Sequence, residues 1–343
     1  MKALVLKEYN LFSYEEVPMP KPDDDEVLIR VQACAICGSD VHGMDGSTGR
    51  RIPPVVMGHE ASGVIEQLGK SVTDFRAGDR VTFDSTVYCG ECRYCRRGEI
   101  NLCDNRRVLG VSCEDYNYPG AFAEYVAVPR RVLYRIPDSV SFEHAAMVEP
   151  LSIAFHAISR SRVSLGDTAV VVGAGMIGSL VIQLLRISGC GRIIAVDLVQ
   201  EKLALAGKLG ADILLKSDEV DVPGEVFRLT GGHGADLAYE VVGITPTLRT
   251  AIDSLRKGGS LTMVGNLSQS VDFPLQAAVT RQLTLLGSCS SAGEYPACLE
   301  LIADGKVDID SFISAVAPLS EGSSWFRRLQ AGEPGLMKVI LRP

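Results

Sequence analysis

Four cysteines crowd into fifteen positions as Cys89-x2-Cys92-x2-Cys95-x7-Cys103. Four thiolates in one loop can close a tetrahedron around Zn²⁺, which prefers sulfur and imposes no directional d-electron demand. A metal with four protein ligands keeps no position open for a substrate, so such a site is structural. The loop also carries Arg93, Arg96, Arg97 and Glu99 and has little to bury, so a bound metal would supply most of its local order. An iron–sulfur cluster is the rival reading, but those runs continue x3-Cys-Pro, whereas here x7 precedes Cys103 and Asp104 follows it. A disulfide is the weaker rival. The N-terminal MKALVLKEYN has only four apolar residues in its run, Ala3 to Leu6, too few for a secretory leader. The expected location is the cytoplasm.

A second set of metal-type residues, Cys37, His59, Glu60 and Glu149, is scattered, and no local spacing rule selects it. Each has a plain interior or surface reading, and Cys34 with Cys37 also fits a buried pair or a C-x-x-C redox couple. His59 and Glu60 are neighbours, and neighbours on a strand face opposite ways. Both can approach one metal only if Gly58 and Pro53-Pro54 put them on an irregular segment.

Gly173-Ala-Gly175-Met-Ile-Gly178 follows the apolar run Ala169–Val172 and opens a helix-like stretch that continues through Arg186. Asp197 stands nineteen residues beyond Gly178, at the end of the next strand-like run. This strand–loop–helix–acid order is the dinucleotide fingerprint. The first glycine permits the turn, the second admits the pyrophosphate, and the third lets helix and strand pack closely. Asp197 favours NAD, because a carboxylate accepts from both ribose hydroxyls and repels a 2′-phosphate. Lys202 nearby works against that preference.

These residues need elements to hold them. Short β-type runs (Val27–Val31, Ser62–Leu68, Arg80–Phe83, Ala123–Val128, Val132–Ile136) fill residues 1–150, spaced as in a small barrel or sandwich. From about residue 150, strand and helix alternate: Arg192–Val196, Gln200–Leu209, Ile213–Leu215, Ala235–Val242, Thr247–Arg256, Ser260–Val264. That rhythm predicts βαβ units and a doubly wound parallel sheet. The fold class is α/β. Residues from about Ser288 mix helix and strand, and by pattern alone could close either domain. The 343 residues carry 34 basic and 42 acidic side chains, a formal charge of −8. That balance argues against a nucleic-acid backbone or an anionic membrane as partner. The longest apolar stretch, Thr168 to Leu185, is broken by Gly173, Gly175, Gly178, Ser179 and Gln183 and does not read as a span.

Together, Cys37-Gly-Ser-Asp40, Gly58-His-Glu60, the four-cysteine loop, Val148-Glu-Pro-Leu151, the glycine loop and Lys257–Gly265 resemble the zinc-dependent medium-chain dehydrogenases over essentially the whole chain. The polyol (sorbitol and xylitol type) branch is most similar, the threonine dehydrogenase branch next. The resemblance implies a GroES-like catalytic domain (1–150), a Rossmann NAD-binding domain (151–287) and a segment (288–343) returning to the catalytic domain. It places Cys37, His59 and Glu60 at the catalytic zinc, with Glu149 touching that metal directly or through its water. Ser39 and His42 match the proton relay. Gly173, Gly175, Ile177, Gly178, Asp197, Lys202 and Val264 match cofactor contacts. The implied activity is NAD-dependent oxidation of a secondary alcohol of a polyol or sugar derivative, with two Zn²⁺ per chain. A homotetramer is implied in preference to a dimer. Where sorbitol-type members have an aromatic residue after the relay histidine, this chain has Gly43, and Ser290 and Ser291 stand in place of Arg-Tyr. A wider pocket is the expectation. The alternatives are threonine-type oxidation of a 3-hydroxy amino acid and a non-catalytic nucleotide-binding scaffold. His144, His156 and His233 read as structural; Cys34, Cys113, Cys190, Cys289 and Cys298 read as small buried apolar groups.

Overall fold

The computed structural model describes residues 1–114 and 116–343. The chain forms two units: Met1–Ser152 with Ser291–Pro343, and Ile153–Ser290.

The first unit is built on a seven-stranded sheet. Leu133–Arg135, Arg80–Phe83, Glu60–Leu68, Glu26–Ala35, Lys338–Arg342 and Ile313–Pro318 lie in that order, and Tyr125–Pro129 also pairs with Glu26–Ala35. Alternating residues such as Val27, Ile29 and Val31 turn into a core with Phe83, Phe122 and Phe326. Phe122 meets Phe326 edge-on at 5.7 Å between ring centres, a favourable aromatic geometry. The N-terminal run forms the strand Lys2–Glu8, which pairs with Leu11–Glu16.

Register decides what this sheet holds at one end. Ala35 lies opposite Glu60 on one side and Ile340 on the other. Three strands far apart in the chain thus bring Cys37, Glu60 and Lys338 to the same edge. Immediately after Ala35 the chain turns into the short helix Gly38–Gly43. Cys37 is its N-cap: the thiol accepts from Ser39 N, while the Asp40 carboxylate accepts back from Cys37 N, a reciprocal cap.

The second unit carries six parallel strands in the order Ile213–Lys216, Arg192–Asp197, Thr168–Val172, Ala235–Glu240, Leu255–Met263, Thr284–Gly287. Buried Val170, Val172, Ile194 and Val196 fill the two strands either side of its first crossover. The order reverses between Thr168–Val172 and Ala235–Glu240, and ligands of such sheets bind at the carboxyl ends beside that reversal. The glycine loop sits there.

Several elements differ from the sequence-based expectation. The helix expected over Thr247–Arg256 runs over Thr245–Ser254, because Pro246 fits the first helical turn, where no N–H is needed. Leu255 already belongs to the next strand. The helices Phe142–Ala146, Val148–Arg160 and Val222–Leu229 were not anticipated; Pro150 and Pro223 again fall in first turns, where proline is tolerated. Among the described residues, no helix is long and apolar enough to cross a membrane.

Candidate active site and zinc lobe

Cys37, His59 and Glu60 converge: one ligand atom from each lies within 4.8 Å of the others. The conflict between adjacent His59 and Glu60 is resolved by the backbone. Glu60 is the first residue of its strand, whereas His59 precedes it, just after Gly58 at φ 96°. That left-handed turn lets both side chains approach one point. A Cβ at residue 58 would also meet Cys34 Sγ, Phe122 Cγ and Phe122 N at 2.9 Å, so glycine is required twice over.

Behind these three stand groups to which the sequence reading gave no role. Asp40 is fully buried, accepts from Arg51 Nη2 at 2.9 Å, and lies 3.5 Å from His59 Nδ1. Lys338, equally buried, donates to Glu60 Oε2 at 2.6 Å and to Ile36 O at 3.0 Å. Asp40 was legible within the Cys37-Gly-Ser-Asp40 motif, as a carboxylate that could orient a ligating histidine. Lys338, 278 residues from its partner, gave no local signal.

The residues fit a divalent metal. Glu60 Oε1 is buried without a hydrogen-bond partner. The two buried cations are already engaged, Arg51 with Asp40 Oδ1 at 2.9 Å and Lys338 with Glu60 Oε2 at 2.6 Å, which leaves Glu60 Oε1 to accept a further cation. Burial works against a charge on His59, yet Asp40 and Cys37 outweigh it and lift its pKa well above the ordinary value. The field there favours a cation. Burial likewise opposes charge on Lys338, but Glu60 and Cys37 hold it protonated. Thiolate, imidazole and carboxylate together form a donor set suited to zinc with an open position.

Glu149 lies outside the three-residue cluster. Its Oε1 accepts from Ser85 Oγ at 2.9 Å, and burial pushes its carboxyl up to about 7. Ser39 is exposed; its hydroxyl donates to Cys37 Sγ at 3.3 Å and accepts from Arg51 Nη2 at 3.3 Å. His42, also exposed, lies in the last turn of the same helix.

The sulfurs of Cys89, Cys92, Cys95 and Cys103 lie within 4.8 Å of one another. Cys92 and Cys95 are 3.5 Å apart and Cys89 and Cys95 3.9 Å, against an edge of about 3.8 Å for a tetrahedron with Zn–S bonds of about 2.3 Å. These separations are far too long for a disulfide, and all ten cysteines are free. Cys89 N and Asn105 N donate to Cys103 Sγ, and Cys92 N to Cys89 Sγ, as thiolates require. Backbone donors lower Cys92 to about 6.

In the second unit, Gly173 has φ 100°, and a Cβ on Gly178 would sit 1.8 Å from Gly173 O, so helix and strand touch backbone to backbone. Gly175 caps the helix Met176–Ile187 with no side-chain hydrogen bond and nothing within 4 Å of its would-be Cβ, leaving room for a phosphate at the helix start. Asp197 accepts from Ala174 N at 2.8 Å and from Val199 N at 2.9 Å, which aims the carboxylate from the strand end across the loop. Ile177, Lys202 and Val264 are half-buried.

A family profile described as "Alcohol dehydrogenase GroES-like domain" matches residues 23–138, and one described as "Zinc-binding dehydrogenase" matches 177–304. The sorbitol dehydrogenase of Bacillus subtilis is 34% identical over 100% of this chain and 97% of its own length. The chain belongs to the zinc-dependent medium-chain dehydrogenases. Like other members of that family it is an oxidoreductase. D-arabitol-phosphate dehydrogenase of Enterococcus avium is 34% identical, covering 97% of this chain and 94% of that one. Among solved members, alcohol dehydrogenase TADH from Thermus sp. ATN1 superposes with a TM-score of 0.94 at 31% identity, over 100% and 99% of the two chains.

Two expectations for this medium-chain dehydrogenase need correction. Gly43 does not open a pocket, because the Arg51 stem lies over it: a Cβ there would meet Arg51 Cδ at 2.9 Å. Ser291 is buried and donates to Asp84 Oδ2 at 3.1 Å. Of the cysteines taken as buried apolar groups, Cys34, Cys190 and Cys298 are so; Cys113 and Cys289 are only partly covered, being outside regular strands and helices. His144 is structural, with Nε2 2.8 Å from Asp310 Oδ1.

Proposed function

We propose that the protein oxidises a secondary alcohol of a polyol or sugar derivative to the ketone, with NAD as oxidant and two zinc ions per chain. The observation that carries this reading is the convergence of Cys37, His59 and Glu60, in a chain whose relatives include polyol dehydrogenases. Zinc held by those three residues supplies Lewis acidity toward the substrate hydroxyl, and the nicotinamide ring supplies the hydride acceptor. Ser39 Oγ would accept the substrate hydroxyl proton as its own proton passes to His42, exposed near the helix end, for release to solvent. Cys37 and Glu60 as ligands would offset part of the metal's charge and so moderate the Lewis acidity it supplies. Asp40 keeps the His59 ring oriented. Glu149 is assigned as the carboxylate reaching the metal directly or through its water. Cys89, Cys92, Cys95 and Cys103 hold the second zinc.

Gly173, Gly175 and Gly178, with Ile177, Lys202 and Val264, are assigned to the dinucleotide. Asp197 sets the preference for NAD. Replacing Asp197 by Ala should lower kcat/KM for NAD by about 10- to 100-fold, the loss of charge-assisted hydrogen bonds to the ribose. It should leave NADP turnover the same or higher. Steady-state kinetics with both cofactors checks this; equal losses with the two would remove Asp197 from the assignment.

A panel of free polyols, phosphorylated polyols, simple alcohols and threonine, read by NADH absorbance, tests the function. Turnover of a polyol-type substrate is the expected result. Threonine alone as substrate would overturn it in favour of 3-hydroxy amino acid oxidation, and one zinc per chain with no turnover would leave a nucleotide-binding scaffold. A homotetramer in the cytoplasm completes the proposal; light scattering on the eluting protein measures its assembly.

A further inference from the structure

We propose that Arg51 is a positioning residue of the catalytic metal site: its guanidinium, bedded over Gly43, holds Asp40 behind His59 and Ser39 beside Cys37, so that metal retention depends on it. This rests on the reading of Cys37, His59 and Glu60 as metal ligands.

Arg51 is 4% exposed, unusual for an arginine, and it is spent on two partners. A single nitrogen, Nη2, donates to Asp40 Oδ1 at 2.9 Å and to Ser39 Oγ at 3.3 Å. Those partners serve different ends of the site. Asp40 Oδ1 is also the oxygen 3.5 Å from His59 Nδ1, and Asp40 Oδ2 accepts from Cys37 N at 3.4 Å. The carboxylate therefore spans two of the three metal-facing residues, and Arg51 is the cation that fixes where it lies. Without that cation Asp40 would be a fully buried carboxylate beside Cys37 and Glu60, and it would gain by turning away from them or taking a proton. Either change loosens His59. At Ser39, the Arg51 donation occupies one lone pair of the hydroxyl and so limits the directions in which its proton can point.

Gly43 makes the arrangement possible. An added Cβ would lie 2.9, 3.3 and 3.4 Å from Arg51 Cδ, Cγ and Nε, so the stem lies flat against a residue without a side chain. Substitution at either end of this contact should have the same consequence. Arg51→Met removes the guanidinium while keeping much of the stem, and Gly43→Ala keeps the guanidinium but displaces it. Arg51→Lys retains the charge without the planar fork, so it should recover part of the effect.

The experiment measures zinc content and the rate of zinc transfer to a chromogenic chelator for the intact wild type and the three variants. The four-cysteine lobe, remote in sequence from Arg51, serves as an internal control. The expected result is that one zinc of Arg51→Met leaves about 10- to 100-fold faster than in the wild type, while the other leaves at the wild-type rate. Gly43→Ala should move in the same direction and Arg51→Lys should fall between. Release of both zincs at wild-type rates overturns the proposal, as does equal acceleration of both, which marks general loosening of the fold. Should Arg51→Met not fold, Gly43→Ala decides alone by the same criteria. A wild type holding only the lobe zinc would strike the metal-site reading itself, and this proposal with it.

Discussion

Cys37→Ser gives a folded protein that keeps one zinc of two and loses at least about 10³-fold in turnover. Serine preserves the local fold because Cys37 is a helix N-cap, and a hydroxyl at that position accepts from the helix backbone better than a thiol does. The chemistry does not survive. A neutral hydroxyl replaces the thiolate, and the cavity loses the sulfur donor that Ser39 N and Ser39 Oγ both address, at 3.4 and 3.3 Å. Metal analysis, far-UV circular dichroism and a turnover assay on one preparation check the three parts together. Normal turnover, or two zincs retained, would reject the assignment of Cys37.

Cys95→Ser has its largest effect elsewhere. Cys95 Sγ sits 3.5 Å from Cys92 Sγ and 3.9 Å from Cys89 Sγ, so its loss opens the tetrahedron from the middle. Around it the chain makes two single turns, Cys95–Arg97 and Ile100–Leu102, in which Asn101 is buried and the neighbouring side chains are partly or fully exposed. Structural zinc contributes about 10–16 kcal/mol in isolated fingers, far more than such turns recover from burial. The lobe is expected to lose its zinc and to be cut by trypsin after Arg93, Arg96 or Arg97. The sheet core around Phe83, Phe122 and Phe326 lies outside these turns and should hold the rest of the unit together. A variant with two zincs and wild-type resistance to trypsin would show that the four sulfurs do not bind metal.

What could be read from the residues followed the range over which each signal acts. The four cysteines and the glycine loop are short-range patterns with one chemical use each, and the alternation after residue 150 repeats often enough to specify a parallel sheet. Strand ends were less legible: the run over Ser62–Leu68 begins at Glu60, because pairing with Ala35 extends it. The convergence of Cys37, His59 and Glu60 depends on Gly58 adopting a left-handed turn, which spacing alone does not reveal. Arg51 over Gly43 was read in reverse. A missing side chain suggested empty space, while a residue eight positions later fills it. Lys338 opposite Glu60 is a product of strand order and could emerge only from the folded sheet.

That last pairing also bears on the order of events during translation. The Ile153–Ser290 unit is a continuous stretch and can collapse as soon as it leaves the ribosome. Glu60, made much earlier, must wait for Lys338 before its carboxylate gains its buried counter-charge. Until then Glu60 lacks that counter-charge, and Ala35 lacks the strand Lys338–Arg342 beside it. Synthesis of the strand Lys338–Arg342 is therefore the step that makes the pocket ready to mature, and zinc loading should follow it.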